Sequence, residues 1–325
     1  MKRVLVTGSN GFIGSHLVEH LAGLGLSVLA VDHRPPRFGE PWQRRGVRTL
    51  DVDLRTDPLE ELVEGCDVVF HLAARPGVRG SWGADFGDYL SANVAATHRL
   101  VNACFRGGVS RLVFASSSSV YGETTSPSSE GDDCRPLSPY GVTKLAAEQL
   151  CLAYARRPGS PLSVVALRYF TVYGPRQRPD MAFSRMLFAC YSRVPFRMFG
   201  DGTQMREFTY VGDVVDATVA AARIEARDEI VNVSGGASVS LLDVLTVAAE
   251  VMGRRVLLDA SGARPGDARA TEADPSHARR LLGHRPRVSL AEGLARQARW
   301  LRGLGQEQLK VFVADEGLYS PPGPH

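Results

Sequence analysis

The chain has 325 residues, 44% of them hydrophobic and 22% charged, with a formal net charge of +3. That length allows one large or two modest domains with a sizeable core. No run of about 18 apolar residues occurs, which excludes a membrane-spanning helix. The arginines are spread rather than clustered, so nothing points to nucleic acid.

Val4–Thr7 reads as a buried strand running into Gly8-Ser-Asn-Gly11-Phe12-Ile13-Gly14 and a helix over about residues 13–24. The turn comes too early for a secretory leader, and a cytoplasmic protein is expected. Strand, glycine turn and helix start form a phosphate-binding arrangement: small residues admit a pyrophosphate, and the helix N-terminus offers N–H donors. A second strand, Ser27–Val31, is followed by Asp32, about 20 residues beyond the turn, where a carboxylate accepts from both ribose hydroxyls of NAD and repels a 2′-phosphate. Arg34 lies close enough to keep NADP in view, but Asp32 favours NAD. Val68–His71, Arg111–Ser116 and Ser163–Arg168 read as further buried strands. Helical patterns end near Arg106 and cover Pro139–Ala155. The alternation predicts an α/β fold, a Rossmann doubly wound parallel sheet with a smaller C-terminal α/β domain.

Within the last of those helices stands Tyr140-Gly-Val-Thr-Lys144. A spacing of four puts both side chains on one face, one turn apart. An ammonium there would favour the phenolate that takes a hydroxyl proton. The only lysines in the chain are Lys2, Lys144 and Lys310, so position 144 holds a compact ammonium where arginine is otherwise the rule.

After Gly174 the pattern changes. Helices are expected over Ala182–Tyr191, Val211–Ala222 and Ser240–Met252, the last capped by Ser240, with strands at Phe196–Phe199 and Ile230–Val233. The expected division is a Rossmann domain over 1–174, rejoined by 205–233, a substrate domain over 175–204 and 234–310, and a tail over 311–325. The five cysteines (Cys66, Cys104, Cys134, Cys151, Cys190) are odd in number and lack CxxC spacing, which argues for buried thiols and against disulfides or a metal site.

The Gly-x-x-Gly-x-x-Gly turn together with Tyr-x-x-x-Lys resembles the extended short-chain dehydrogenase/reductase superfamily, over about residues 1–304. The resemblance implies tightly bound NAD held by Gly8, Gly11, Phe12, Ile13, Gly14 and Asp32, with Asp53 and Leu54 at the adenine. It also puts Leu72, Ala73, Ala74, Asn93, Ser116 and Tyr169 beside the cofactor, and gives Lys144 the nicotinamide ribose. It makes Ser117, Tyr140 and Lys144 the catalytic set.

Within Ser116–Tyr121, sugar 4,6-dehydratases carry an Asp-Glu pair and UDP-glucuronate decarboxylases a Glu before Val-Tyr-Gly. This chain has Ser118 and Ser119, which leaves oxidation and re-reduction at C4, that is, epimerisation. Gly200–Asp213, with Arg206, and Arg264-Pro-Gly-Asp267 resemble the family's two nucleotide-sugar signatures. They imply diphosphate on Arg206 and Arg264, ribose on Asp267 and uracil against Phe199. Gly174-Pro-Arg-Gln-Arg178-Pro-Asp-Met, with Thr171 where galactose-type epimerases have Asn, is most similar to UDP-glucuronate 4-epimerases. Thr171, Arg178 and the Ser118–Ser119 pair would hold the C6 carboxylate, with Arg79 bordering the pocket. A UDP-glucose 4-epimerase, a UDP-glucuronate decarboxylase and a catalytically silent NAD sensor remain alternatives. A homodimer through the helices near 90–106 and 140–155 is implied as well.

Overall fold

Seven strands are the frame on which the site is hung. The computed structural model describes residues 1–38, 46–124, 127–261 and 270–315. Strands β1 (Arg3–Thr7), β2 (Ser27–Asp32), β3 (Val47–Asp51), β4 (Val68–His71), β5 (Arg111–Ser117), β6 (Ser163–Tyr169) and β7 (Glu229–Val233) form one sheet in the order β3-β2-β1-β4-β5-β6-β7. Every pairing is parallel. Parallel sheets are covered on both faces, which is why β4 and β6 read as unbroken apolar or buried runs.

Successive residues serve opposite layers. Val4 and Val6 join a core with Leu17, Val18 and Leu21 of helix α1 (Phe12–Gly23). Leu5 between them faces Leu100 and Val101 of α2 (Ala96–Arg106) and Ala147 and Leu152 of α3 (Pro139–Ala155).

Three differences from the sequence expectation are informative. The helix ending at Arg106 is broken: a short turn, Phe86–Tyr89, leads into a π-helical turn, Leu90–Ala95, before α2 begins. β5 and β6 each run one residue longer, so Ser117 and Tyr169 close their strands. The helix expected to start at Ser240 starts at Leu241 and runs to Met252. Ser240 is its N-cap, in a capping box with Asp243.

Beyond β6 the chain adds β7 to the sheet and a further set of helices and short strands. Helices α4 (Ala182–Ser192), α5 (Val211–Ala221), α6 (Leu241–Met252) and α7 (Leu290–Arg302) contribute to the core shared with α1. Three short strands, Ser238–Ser240, Met205–Glu207 and Ala270–Thr271, form a small sheet. Phe196–Phe199 pairs in parallel with Leu258–Ser261. Among the described residues no helix is long and apolar enough to cross a membrane.

Candidate active site

Strand order reverses between β1 and β4, and ligands of open parallel sheets bind in the crevice at such a point. Gly8 has φ of +70°, and a Cβ on it would stand 2.7 Å from the Ala73 backbone nitrogen. A Cβ on Gly14 would fall 2.0 Å from the Gly8 carbonyl oxygen. The turn is therefore a cradle that side chains would fill, opening on the N-terminus of α1, whose Gly11 N-cap has no side-chain partner. These are the features a dinucleotide pyrophosphate needs.

At the end of β2 the Asp32 carboxylate accepts from the backbone N–H of Asn10 (3.0 Å) and of Arg34 (3.1 Å). It is thereby tied to the glycine turn. The Arg34 guanidinium turns instead to His33. The chain is expected to bind NAD at least about tenfold more tightly than NADP, a gap of about 1.4 kcal/mol that a binding titration measures. Equal affinities would mean that Arg34 outweighs the carboxylate.

Asp53 is paired with Arg55 at 2.6 Å, and this hydrogen bond holds its carboxyl down at about 2, while Leu54 is buried. Leu72 donates its N–H to Thr7 O, and Ala73 to the Thr7 hydroxyl. Leu72 and Ala73, followed by Ala74, are thus held at the C-terminal end of β1. His71 bridges Thr7 (2.7 Å) and Thr97 (2.9 Å). Burial, with the Lys144 charge, holds its pKa down at about 3. Because Thr97 donates to Asn93 O, the neutral ring donates from Nε2 and accepts at Nδ1.

α3 starts where the sequence says it should. Ser138 caps it by accepting from Gly141 N–H, and Pro139 occupies the first turn. Gly141 lets the helix press on the serine loop, since a Cβ there would stand 2.5 Å from Ser119 O. The contact brings Tyr140 near Ser117, whose hydroxyl favours the phenolate. Burial pushes the Tyr140 pKa up, against the pull of that hydrogen bond and of the Arg178 charge.

Lys144 is one turn further along. Its Nζ donates to Ala115 O at 2.6 Å and lies 4.4 Å from the centre of the Phe114 ring, and burial lowers its pKa to about 8.

Asn93 sits in the π-helical turn, buried, accepting from Arg75 N–H and donating to Arg75 O and to Thr143 on α3. π-turns often mark functional positions. Ser116 donates to Glu148 at 2.6 Å. The Tyr169 hydroxyl bonds that of Thr218, and burial raises its pKa.

Of the residues expected at the substrate, Phe199 is surrounded by Arg79, Arg197 and Arg185, with guanidinium carbons 4.8, 5.5 and 5.8 Å from its ring centre. Arg206 lies on Met205–Glu207, its Nη1 donating to Met205 O at 2.8 Å. Thr171, half-buried, is held by Thr209 N–H on its carbonyl. Ser118 and Ser119 open the helical turn that follows Ser117. Arg178 pairs with Asp180, and its Nη2 comes within 3.9 Å of a Cβ placed on Gly77. Arg264 and Asp267 lie outside the described residues. Sequence reasoning missed Arg185, Arg197, Tyr89 and Asp180. The signal available for the first was an arginine inside Ala182–Cys190, a run apolar but for Ser184.

The chain matches the NAD dependent epimerase/dehydratase family model over residues 4–234. It is 42% identical over 315 residues to YtcB of Bacillus subtilis, named an uncharacterized UDP-glucose epimerase, covering 94% of this chain and 99% of that one. It resembles MoeE5 in complex with UDP-glucuronic acid and NAD at 49% identity and a TM-score of 0.88, over 92% of this chain and 99% of that one. MoeE5 has also been solved with UDP-glucose and NAD. The UDP-glucuronic acid 4-epimerase of Bacillus cereus, in complex with UDP-glucuronic acid and NAD, is 39% identical with a TM-score of 0.86, over 92% of this chain and 99% of that one. The family match and the nearly full-length relatives agree: this chain belongs to the NAD-dependent epimerase/dehydratase family and is an NAD-dependent enzyme of the epimerase kind.

Proposed function

We propose that the protein is a UDP-glucuronate 4-epimerase, interconverting UDP-glucuronate and UDP-galacturonate. The observation that carries this reading is Arg178: its Nη2 and the Tyr89 hydroxyl lie 3.9 and 3.5 Å from one point, a Cβ placed on Gly77, and the Tyr89 ring packs edge-on against Tyr140. A sugar whose C4 hydroxyl meets Tyr140 has its C6 substituent next to C5, within the same small space, where a fixed cation favours a carboxylate.

The roles then follow from the residues. Tyr140 accepts the O4 proton, and Ser117 hydrogen-bonds the same oxygen. Lys144, anchored on Ala115 O, holds the nicotinamide ribose. Bound NAD supplies the acceptor for the C4 hydride and returns it to the opposite face. Arg206, with the guanidiniums around Phe199, gathers positive charge for the diphosphate while the ring takes the uracil, and Arg264 and Asp267 complete that grip. Leu90 and Val142, exposed at 47% and 49% on the segments expected to dimerise, suit a homodimer.

The 4-keto sugar is a β-keto acid. If its C5–C6 bond aligned with the carbonyl π system, that bond would break, its electron pair would form the C4 enol, and CO2 would leave before C5 is protonated. Arg178, Thr171 and the Ser118–Ser119 turn hold the carboxylate out of that alignment.

Arg178→Ala removes a charge-assisted hydrogen bond of about 1.5–3 kcal/mol. It is expected to weaken UDP-glucuronate binding by roughly that amount, to leave UDP binding nearly unchanged, and to release a UDP-pentose side product after CO2 loss. Product analysis on UDP-glucuronate, with UDP-glucose as the uncharged control, tests this. The YtcB relative favours a second reading, UDP-glucose 4-epimerase. Equal loss of both sugars, or a wild type preferring UDP-glucose, would support that reading instead.

A further inference from the structure

The loop from Gly174 to Asp180 carries consecutive side chains in three directions. Arg176, with φ of 64°, turns back to α1, where its Nη2 donates to His16 Nδ1 (2.9 Å) and to Glu19 (2.7 Å). His16 bonds Pro175 O at 2.8 Å, and burial, with the Arg176 charge, lowers its pKa to about 4. The ring is therefore neutral: Nε2–H donates to Pro175 O and Nδ1 receives Arg176. Gln177 is buried, donating to Val172 O and accepting from Ser184 N–H and Gln297. With both preceding residues tied down, the backbone of Arg178 has little freedom.

Its side chain is held as well. Nε donates to Asp180 Oδ1 at 2.9 Å and Nη2 to Oδ2 at 2.5 Å. A guanidinium has two edges that fit a carboxylate, Nε with Nη2 and Nη1 with Nη2. Asp180 occupies the first and leaves the second. The pair is partly exposed, 27% for Arg178 and 36% for Asp180, so it contributes little to folding. Its geometry calls for another explanation.

We propose that Asp180 is a positioning residue for substrate recognition: it clamps one edge of Arg178 so that the other edge meets the C6 carboxylate of the sugar. This rests on the UDP-glucuronate reading above. The two carboxylates share one guanidinium on different edges, so they do not exclude each other. The clamp also keeps the long arginine side chain from paying its ordering entropy when the sugar arrives.

The test is steady-state kinetics and product analysis of Asp180→Ala and Asp180→Asn on UDP-glucuronate and UDP-glucose, alongside the wild type and Arg178→Ala. Asp180→Ala is expected to raise KM for UDP-glucuronate about tenfold, to move KM for UDP-glucose less than about twofold, and to shed some CO2. Asp180→Asn, which keeps an acceptor for Nε, is expected to recover part of the loss.

A lower KM for UDP-glucuronate in Asp180→Ala would show that Asp180 competes for the arginine, and would overturn the proposal. So would an equal rise for both sugars, the mark of a merely structural role. If Arg178→Ala selectively loses UDP-glucuronate but Asp180→Ala does not, the positioning role alone fails. If Arg178→Ala discriminates between neither sugar, the substrate reading fails and takes this inference with it.

Discussion

Tyr140→Phe is expected to lower turnover at least about a hundredfold, the low end of what a positioned general base contributes. The change removes one oxygen and keeps the ring, which packs edge-on against Tyr89 with centroids 6.4 Å apart. Binding of NAD and of UDP-sugar should therefore stay near wild type, and the loss should fall on kcat rather than KM. The measurement is turnover on UDP-glucuronate with binding titrated in parallel. Near-normal kcat would mean that another group takes the O4 proton, and Ser117, beside the same phenol, would be the first to examine.

The largest expected stability effect lies behind the catalytic helix. Glu148, one turn beyond Lys144 on α3, is fully buried. It accepts from Arg168 Nη2 at 2.7 Å and Nε at 3.1 Å, and from the Ser116 hydroxyl at 2.6 Å. Arg168, also buried, lies over the Tyr121 ring at 4.7 Å, and the Tyr121 hydroxyl donates to Asn232 on β7. Removing one partner of a buried pair leaves the other charge uncompensated, which costs about 3–5 kcal/mol. Glu148→Ala is expected to lose that much in urea unfolding. The double variant Glu148→Leu, Arg168→Met should regain much of it, because two apolar side chains leave no orphan charge. A single-variant loss below about 1 kcal/mol would be the size expected of a solvated surface pair, and the pair would then be no keystone.

The comparison between sequence and structure divides by range. Local patterns were legible because their causes are local. The unbroken apolar runs of β4 and β6 follow from burial on both faces, the start of α3 from Ser138 and Pro139, and the Tyr140–Lys144 alignment from the helical repeat. The glycine cradle was legible too, since only residues without a Cβ fit between the Gly8 turn and Ala73.

What the periodicity concealed was break and partnership. The π-helical turn at Leu90–Ala95 keeps a helical pattern on either side, so residue spacing reads straight through it. The partner of Ser116, the Glu148 carboxylate that accepts its hydroxyl proton, comes from another element. The Arg178 charge, delivered by a loop after β6, adds its own pull on the Tyr140 pKa, and residue spacing does not foretell it. The guanidiniums around Phe199 come from three separate segments.

The sequence by itself thus determined most of the elements, the glycine turn and the alignment of Tyr140 with Lys144 on one helix face, all set by interactions within a few residues. The tertiary structure alone decided which charges stand beside the phenol and which hydroxyls are already engaged. Those depend on where the sheet order places distant strand ends, and no single segment encodes that.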